Sequence, residues 1–429
     1  MDNIALTSIE NDIFNILLSV NDKYSLGVTF RVAGGWVRDK LLGKESDDID
    51  ISLDVMTGKQ FCKFLKKKMS INIHIIKENH AQSKHLEVAS VTMFGTNIDF
   101  LHLRTEEYNN SRIPQICIGT PEEDALRRDL TINSLFYNIN TCAIEDYTGK
   151  GLDDLRNKII RTPLDTILTF TDDPLRILRA IRFCVMPDFN IDNNIISTVR
   201  DNSYIRSLIK KKVSCERLMI EIRKIISINA VMGIHIMNQM NIVSDLLNID
   251  MDENLIQIID NYGEKNGKIM DIVTFVSLIY YDKNYKKLFD MMKLTNKEKK
   301  EATCVIISLL KYIDLSESDD ISTAKLGRIV FDTGKGTLLD ISMNILRAIL
   351  NESKFNQYNT CINDLRWILE MKPMVNGHDI MKLFDVKGDS VKTLLNRVID
   401  IQIMHKNYTK EQIIEMLTSE YSDLITEKT

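Results

Sequence analysis

Ile9, Ile13, Ile16, Leu17 and Val20 fall three or four positions apart with polar residues between them, so residues 1 to about 25 are predicted to open the chain as an amphipathic helix. Val28–Val32 is a short β-prone run, Gly34 and Gly35 break it, and Trp36–Leu42 resumes at helical spacing. In Ser46–Ile51 the pattern changes to alternation, with Ile49 and Ile51 on one side of a strand and Asp48 and Asp50 on the other. A helix over Lys59–Lys68, a strand over Ile71–Ile76 and a hairpin over His85–Arg104, turning at Gly95-Thr96-Asn97, follow. Thr105–Glu123 is polar, carries two prolines and one glycine, and predicts a mobile loop. A second hairpin, Leu135–Glu145, turns at Asn138–Thr141. From about residue 231 onward apolar residues recur at helical spacing with short polar breaks, which predicts an all-helical remainder behind an α/β start.

The 429 residues leave room for roughly two to four domains. A formal net charge of −5 means that any nucleic-acid surface is a local patch on an acidic body. Seven cysteines without a C-x-x-C pair or regular spacing point to neither a disulfide framework nor a zinc site, and hence to a reducing compartment. The opening MDNIALTSIENDIF reads as neither a secretory signal nor an obvious transit peptide. The longest apolar run, Ile269–Tyr281, is short and contains Asp271, so no membrane association is expected.

Candidate chemistry concentrates in residues 31–53, RVAGGWVRDKLLGKESDDIDISL. Gly34 and Gly35 sit at a strand-to-helix turn where backbone can approach a phosphate, and Arg38 follows one helical turn later. Asp48 and Asp50, two apart on a strand, share a face and can share divalent ions, the arrangement that in-line phosphoryl displacement uses. Taken singly, a Gly-Gly turn or an Asp-x-Asp pair is a common loop feature; their proximity is what carries the reading. Further on, Arg127-Arg128-Asp129 precedes Asn133, and Asp172-Asp173-Pro174 starts a helix bearing Arg176, Arg179 and Arg182 at every third position. As ordinary sequence, these read as a surface ion-pair cluster on a helix and an amphipathic helix with a positive stripe. Asp153 is expected to cap a helix after the Gly149–Gly151 turn, Ser214 to cap another, and Arg217 and Glu221 to pair across one turn. The lysine clusters at 286–287 and 297–300 read as solvated faces in preference to RNA contacts, and His378-Asp379 lacks partner histidines for a metal site.

The 31–53 segment resembles the signature of the nucleotidyltransferase superfamily in the form used by tRNA nucleotidyltransferases, the CCA-adding enzymes, and by bacterial poly(A) polymerases. Residues 123–135 match that family's RRD-x-T-x-N motif, and 146–155, 170–183 and 213–222 resemble its later motifs; where the family has Glu-Asp this chain has Asp172-Asp173. The resemblance implies an α/β head of the polymerase-β kind (1–160), then an all-α neck that selects the base (161–230), body (231–335) and tRNA-binding tail (336–429). It implies addition of C, C and A to tRNA 3′ ends from CTP and ATP, with Mg²⁺ on Asp48 and Asp50 and Asp99 a candidate third carboxylate. Gly34, Gly35, Arg38, Arg127 or Arg128, and Asn133 would meet the triphosphate and sugar, and Asp173, Arg176, Arg179 and Arg182 the base side. Rival readings are a poly(A) polymerase or partial CC- or A-adding enzyme on the same scaffold, and an RNA-binding protein whose head is inactive. The expected location is cytoplasmic, with mitochondrial and nuclear pools left open, and no protein partner is evident.

Overall fold

The computed structural model describes residues 4–46, 48–69, 72–76, 88–107, 115–247, 249–280, 285, 289–290, 292–317 and 322–421. The chain forms two compact units, Met1–Asp250 and Met251–Thr429.

The first unit begins with α1 (Ser8–Lys23), closed at its start by a capping box between Thr7 and Glu10. Its buried face is Ile13, Phe14, Leu17 and Val20; Ile9, expected on that face, is 43% exposed, and Glu10 is buried beside it. Among the described residues seven strands make one sheet in the order β3-β4-β5-β2-β1-β8-β9. They are β1 (Phe30–Ala33), β2 (Asp48–Leu53), β3 (Ile73–Ile76), β4 (Val88–Met93), β5 (Thr96–His102), β8 (Phe136–Asn138) and β9 (Ala143–Glu145). Only β2 and β5 run parallel to each other; the remaining neighbours are antiparallel. The predicted strand start at Ile71 and hairpin start at His85 lie outside the described residues. The β4–β5 turn falls at Phe94-Gly95, both at positive φ, one position earlier than the sequence suggested, because a two-residue turn of that hand matches the strand twist.

Pairing fixes the two faces. Val32, Ile51 and Phe100 lie side by side, as do Phe30 and Leu53, and all are buried; Phe61 of α3 (Gly58–Lys68) packs on Phe30 and Phe100 at ring separations of 5.0 and 5.2 Å. This burial is the sheet's main hydrophobic stabilisation. The opposite face carries Asp48, Asp50 and Ser52 of β2, with Arg31 opposite Ser52 and Asp99 opposite Asp50.

The segment expected to be a mobile loop instead folds, over its described parts, as a ribbon of β6 (Arg104–Glu107) and β7 (Gln115–Ile118) leading into α4 (Pro121–Leu126). Polar strands lacked the alternation that would have revealed them. Next come α5 (Gly151–Arg156), α6 (Thr166–Asp172), α7 (Leu175–Cys184), α8 (Asn193–Asp201), α9 (Ser203–Lys212) and α10 (Cys215–Gln239), which kinks at Asn229. The start of α5 is held by Asp146, which accepts from Leu152 N–H at 3.0 Å, and by Thr148, which accepts from Gly151 N–H at 3.1 Å, so Asp153 is not its cap. Ser214 does cap α10.

The second unit is helical in its described residues. Glu253–Asn266 and Asn296–Glu317 both pack on Gly336–Ile349. Gly377–Phe384, Asp389–Met404 and Lys410–Glu420 enclose a core of Ile380, Phe384, Leu394, Val398, Ile401, Ile413 and Leu417. Asp379, flagged with His378 in the sequence, completes a capping box with Asn376 and pairs with Lys410 at 2.7 Å. No helix among the described residues is long and apolar enough to cross a membrane.

Candidate active site

The chain leaves β1 through Gly34, at φ +71° and ψ −120°, and enters α2 (Gly35–Leu41). That backbone conformation favours glycine, and a guanidinium nitrogen of Arg128 would lie 2.8 Å from a Cβ and have to move aside. Gly34 N–H donates to Leu135 O at 3.1 Å, which ties the turn to the segment that follows α4.

Asp48 and Asp50 stand exposed on β2 while Ile49 and Ile51 are buried behind them, as the alternation required. Asp99 stands directly beside Asp50 across the parallel pair, and the hydroxyl of Ser90 donates to its Oδ1 at 2.5 Å. Crowding by surrounding protein atoms pushes the Asp50 pKa above the ordinary carboxylate range; Asp99 and Asp48 push it further, and Arg128 opposes them. Among the described residues no three acidic, histidine or cysteine side chains are grouped as a ready-made metal cage. The donor set nevertheless fits a divalent cation: hard carboxylate oxygens of Asp48 and Asp50 on the exposed face of β2, with Asp99 beside Asp50.

The Arg-Arg-Asp stretch is not on a helix. Arg127 caps the C-terminal end of α4, Arg128 and Asp129 form the turn beyond it, and Asn133 ends a short 3₁₀ turn, Thr131–Asn133. This geometry lets both arginines fold back onto one carboxylate, Asp124, which is 1% exposed: Arg127 Nη2 donates at 2.5 Å and Arg128 Nη2 at 2.8 Å. Burial alone would raise the Asp124 pKa, but the two guanidiniums outweigh it and hold it below the usual range. Arg127 is further committed to Arg104 O at 3.1 Å, whereas Arg128 reaches toward Gly34 and donates to Asn133 O at 3.3 Å. Of the two, Arg128 is therefore placed beside the turn and the carboxylates.

Asn133 is a hub. Its amide donates to Asp129 at 3.1 Å, and its oxygen accepts from Arg38 Nη1 at 2.6 Å. Arg38 also holds Asp39 and lies 4.7 Å over the ring of Phe183 on α7. Arg182 and Arg179 lie over the same ring, at 4.2 and 5.9 Å. Phe183 was not singled out from the sequence, where it reads as one more apolar position of α7.

From α7, Arg179 donates to Asp129 at 2.6 Å, and Arg176 Nη2 donates to Arg127 O, also at 2.6 Å. Asp173 accepts from Leu175 N–H at 3.1 Å and from Arg217 at 3.1 Å. Arg217 thus meets Asp173 and not Glu221; Glu221 is taken by Arg182 at 2.6 Å, since α10 packs along α7 and cross-helix partners are nearer than the expected one a turn away. All the sequence-derived candidates, Gly34, Gly35, Arg38, Asp48, Asp50, Arg127, Arg128, Asn133, Asp173, Arg176, Arg179 and Arg182, lie in the first unit.

A mixed sheet carrying paired aspartates on its open face, next to a glycine turn at a helix start, defines a nucleotidyltransferase head of the polymerase-β kind followed by helices. Residues 30–161 match the model of the poly A polymerase head domain. The mitochondrial CCA tRNA nucleotidyltransferase of Saccharomyces cerevisiae is 45% identical over 241 residues, 52% of this chain and 44% of the yeast protein, so the chain spans under half of that relative. A tRNA nucleotidyltransferase of Schizosaccharomyces pombe is 30% identical over 97% of this chain and 99% of its own length. In fold, the chain matches an apo CCA-adding enzyme with a TM-score of 0.74, covering 97% of this chain and 96% of that one at 21% identity. The chain belongs to the tRNA nucleotidyltransferase family of CCA-adding enzymes.

Proposed function

We propose that this protein adds C, C and A in turn to the 3′ end of tRNA, without a nucleic-acid template, from CTP and ATP with release of diphosphate. The observation that carries the reading is the open face of β2, which bears Asp48 and Asp50, with Asp50 in register with Asp99 and within the field of Arg128. The chemistry a divalent cation, here Mg²⁺, would supply at these carboxylates is neutralisation of phosphate charge and a lowered pKa for the attacking hydroxyl. The chain's own groups bind and orient. Gly34 and Gly35 bring backbone to the triphosphate, Arg38 and Arg128 neutralise it, and Asn133 steers Arg38 toward it. Asp173 and Arg176 read the base, with Arg179 and Arg182 supporting them.

In this reading the head is residues 1–160, the neck 161–230, the body 231–335 and the tail 336–429, with the tail holding tRNA. The location is cytoplasmic with room for a mitochondrial pool, as the name of the yeast relative suggests. A poly(A) polymerase or a partial CC- or A-adding enzyme would use the same face, whereas an inactive RNA-binding head would have no need of Asp48 and Asp50. The deciding experiment offers tRNA lacking its terminal triplet with each triphosphate singly and mixed, and sequences the products. The expected result is CC from CTP alone and CCA from the mixture. A run of A residues from ATP alone, or extension that stops at one nucleotide type in the mixture, would overturn it.

A further inference from the structure

The stretch between the phosphate turn and the catalytic strand is braced by an ion cluster that the reaction itself does not use. Glu10 of α1 is 5% exposed and Lys40 of α2 carries a side chain only 4% exposed. Glu10 accepts from Thr7 N–H at 2.7 Å, Trp36 Nε1–H at 2.9 Å and the Lys40 ammonium at 2.9 Å. The same ammonium donates to Glu45 Oε2 at 2.7 Å and lies 5.8 Å over the Trp36 ring.

An ammonium taken out of water is stabilised only by well-placed partners, and a buried ion pair fixes geometry more than it adds net stability over apolar packing. Lys40 therefore earns attention for what it connects. Glu10 anchors it to α1, the helix packed behind the sheet; Glu45 anchors it to the segment that enters β2 three residues later at Asp48. Two residues before Lys40 on α2, Arg38 faces Asn133 and Phe183. One cation thus sets where the triphosphate-binding helix stands relative to the start of the carboxylate strand.

We propose that Lys40, held by Glu10 and Glu45, is a positioning residue: it fixes the spacing between the Gly34–Arg38 phosphate site and the Asp48–Asp50 carboxylates. The inference rests on the nucleotidyl-transfer reading above. Misplacement by about 1 Å of groups that must act together costs on the order of 10² in rate while each still binds its own ligand. The effect should consequently appear in kcat and not in binding.

The test uses the full-length protein, tRNA ending in CC, and ATP as varied substrate, with Mn²⁺ affinity measured separately by electron paramagnetic resonance of the metal alone. Lys40→Met keeps the length of the stem without its charge; it is expected to lower kcat about 10- to 100-fold. KM for ATP and Kd for Mn²⁺ should each stay within about threefold of wild type, and Lys40→Arg should restore part of the rate. Glu45→Ala alters a side chain that is 75% exposed, so folding is preserved, and it is expected to lower kcat a few-fold in the same pattern. Wild-type kcat in both Lys40→Met and Glu45→Ala would overturn the proposal, as would parallel loss of kcat, ATP affinity, Mn²⁺ affinity and thermal midpoint. Asp48→Asn separates the two levels, being expected to lose at least about 10² in turnover. If Asp48→Asn stays active, the site reading itself fails; if it is inactive beside fully active Lys40 and Glu45 variants, only the positioning role fails.

Discussion

Asp173 has two obligations in this structure: one carboxylate oxygen holds the start of α7 through Leu175 N–H, and the other meets Arg217. Cytosine and adenine each present an exocyclic amine beside an unprotonated ring nitrogen, whereas uracil and guanine present a carbonyl beside a ring N–H. A carboxylate and a guanidinium three residues apart on a helix can accept from the amine and donate to the nitrogen, welcoming the first pair and opposing the second. Arg176 donates to Arg127 O, which ties it to the turn that carries Arg128. Asp173→Ala and Arg176→Ala are expected to lower use of CTP and ATP and to raise relative incorporation of UTP or GTP. A site built on buried polar pairs can discriminate by on the order of 10⁴, so a shift of about tenfold or more is readable. Competition among all four triphosphates measures it, and unchanged preference in both variants would leave the pair as no more than helix staples. The residue types at these positions were legible from sequence; their partners were not. Arg217 and Glu221, a plausible pair by spacing, turned to α7 instead, because spacing along one helix carries no information about the helix packed against it.

The same distinction holds for elements. Period-two alternation in 46–51 and period-3.6 spacing in 9–20 were strong enough to give the type and place of β2 and α1, since each buries one apolar face, though β2 runs two residues later and α1 starts at Ser8. Residues 104–118 and 127–133 were misread because each is too short to show a period: the first pairs with itself as a ribbon, and the second is held by polar contacts of Arg127 and Asn133 together with the buried Leu130 and Ile132. The Arg127–Asn133 turn depends on its two buried acids. Burial pushes the Asp129 pKa up, but Arg179 and Asn133 more than offset this and hold it below the ordinary value, as the arginine pair does for Asp124. A folded-state pKa lower than the unfolded one, about 3.9, gives stability that is present above about pH 4 and lost as pH falls through the folded value. The thermal midpoint of the wild type should thus drop steeply below about pH 4. Asp129→Asn, which keeps one acceptor oxygen for Leu130 N–H and Asn133 but loses the charge and the acceptor for Arg179, should be less stable by about 1–3 kcal/mol at pH 7 and should approach wild type in acid. A midpoint difference that does not change with pH would show that the ion pair contributes nothing beyond its shape.

At the scale of the whole molecule, an acidic chain could hold a polyanion only through patches. On the helical second unit Lys299, Lys300, Thr303 and Lys311 line a groove of about 560 Å³, but Lys299 is paired with Asp290 and Lys311 with Asp332, as befits a solvated face. Affinity for tRNA is expected to fall steeply between about 50 and 200 mM salt, because each phosphate contact releases counterions. A chain ending at Asp250, where the first compact unit ends, should bind ATP near normally and tRNA much more weakly, read by filter binding and by equilibrium dialysis. Equal loss of both would place the phosphate contacts in the first unit or show that unit to depend on the second. The first unit also has an inner order of rigidity. β2 is the fourth of seven strands and is hydrogen-bonded along both edges, by β1 and by β5, while β3 and β9 form the two rims. Amide protons at the rims can reach solvent by local fraying, but those of β2 are released only when the sheet itself separates. In hydrogen exchange the strand bearing Asp48 and Asp50 should therefore be among the last of the head to label, its rate set by global unfolding; the two carboxylates keep their spacing through every partial opening that leaves the sheet whole.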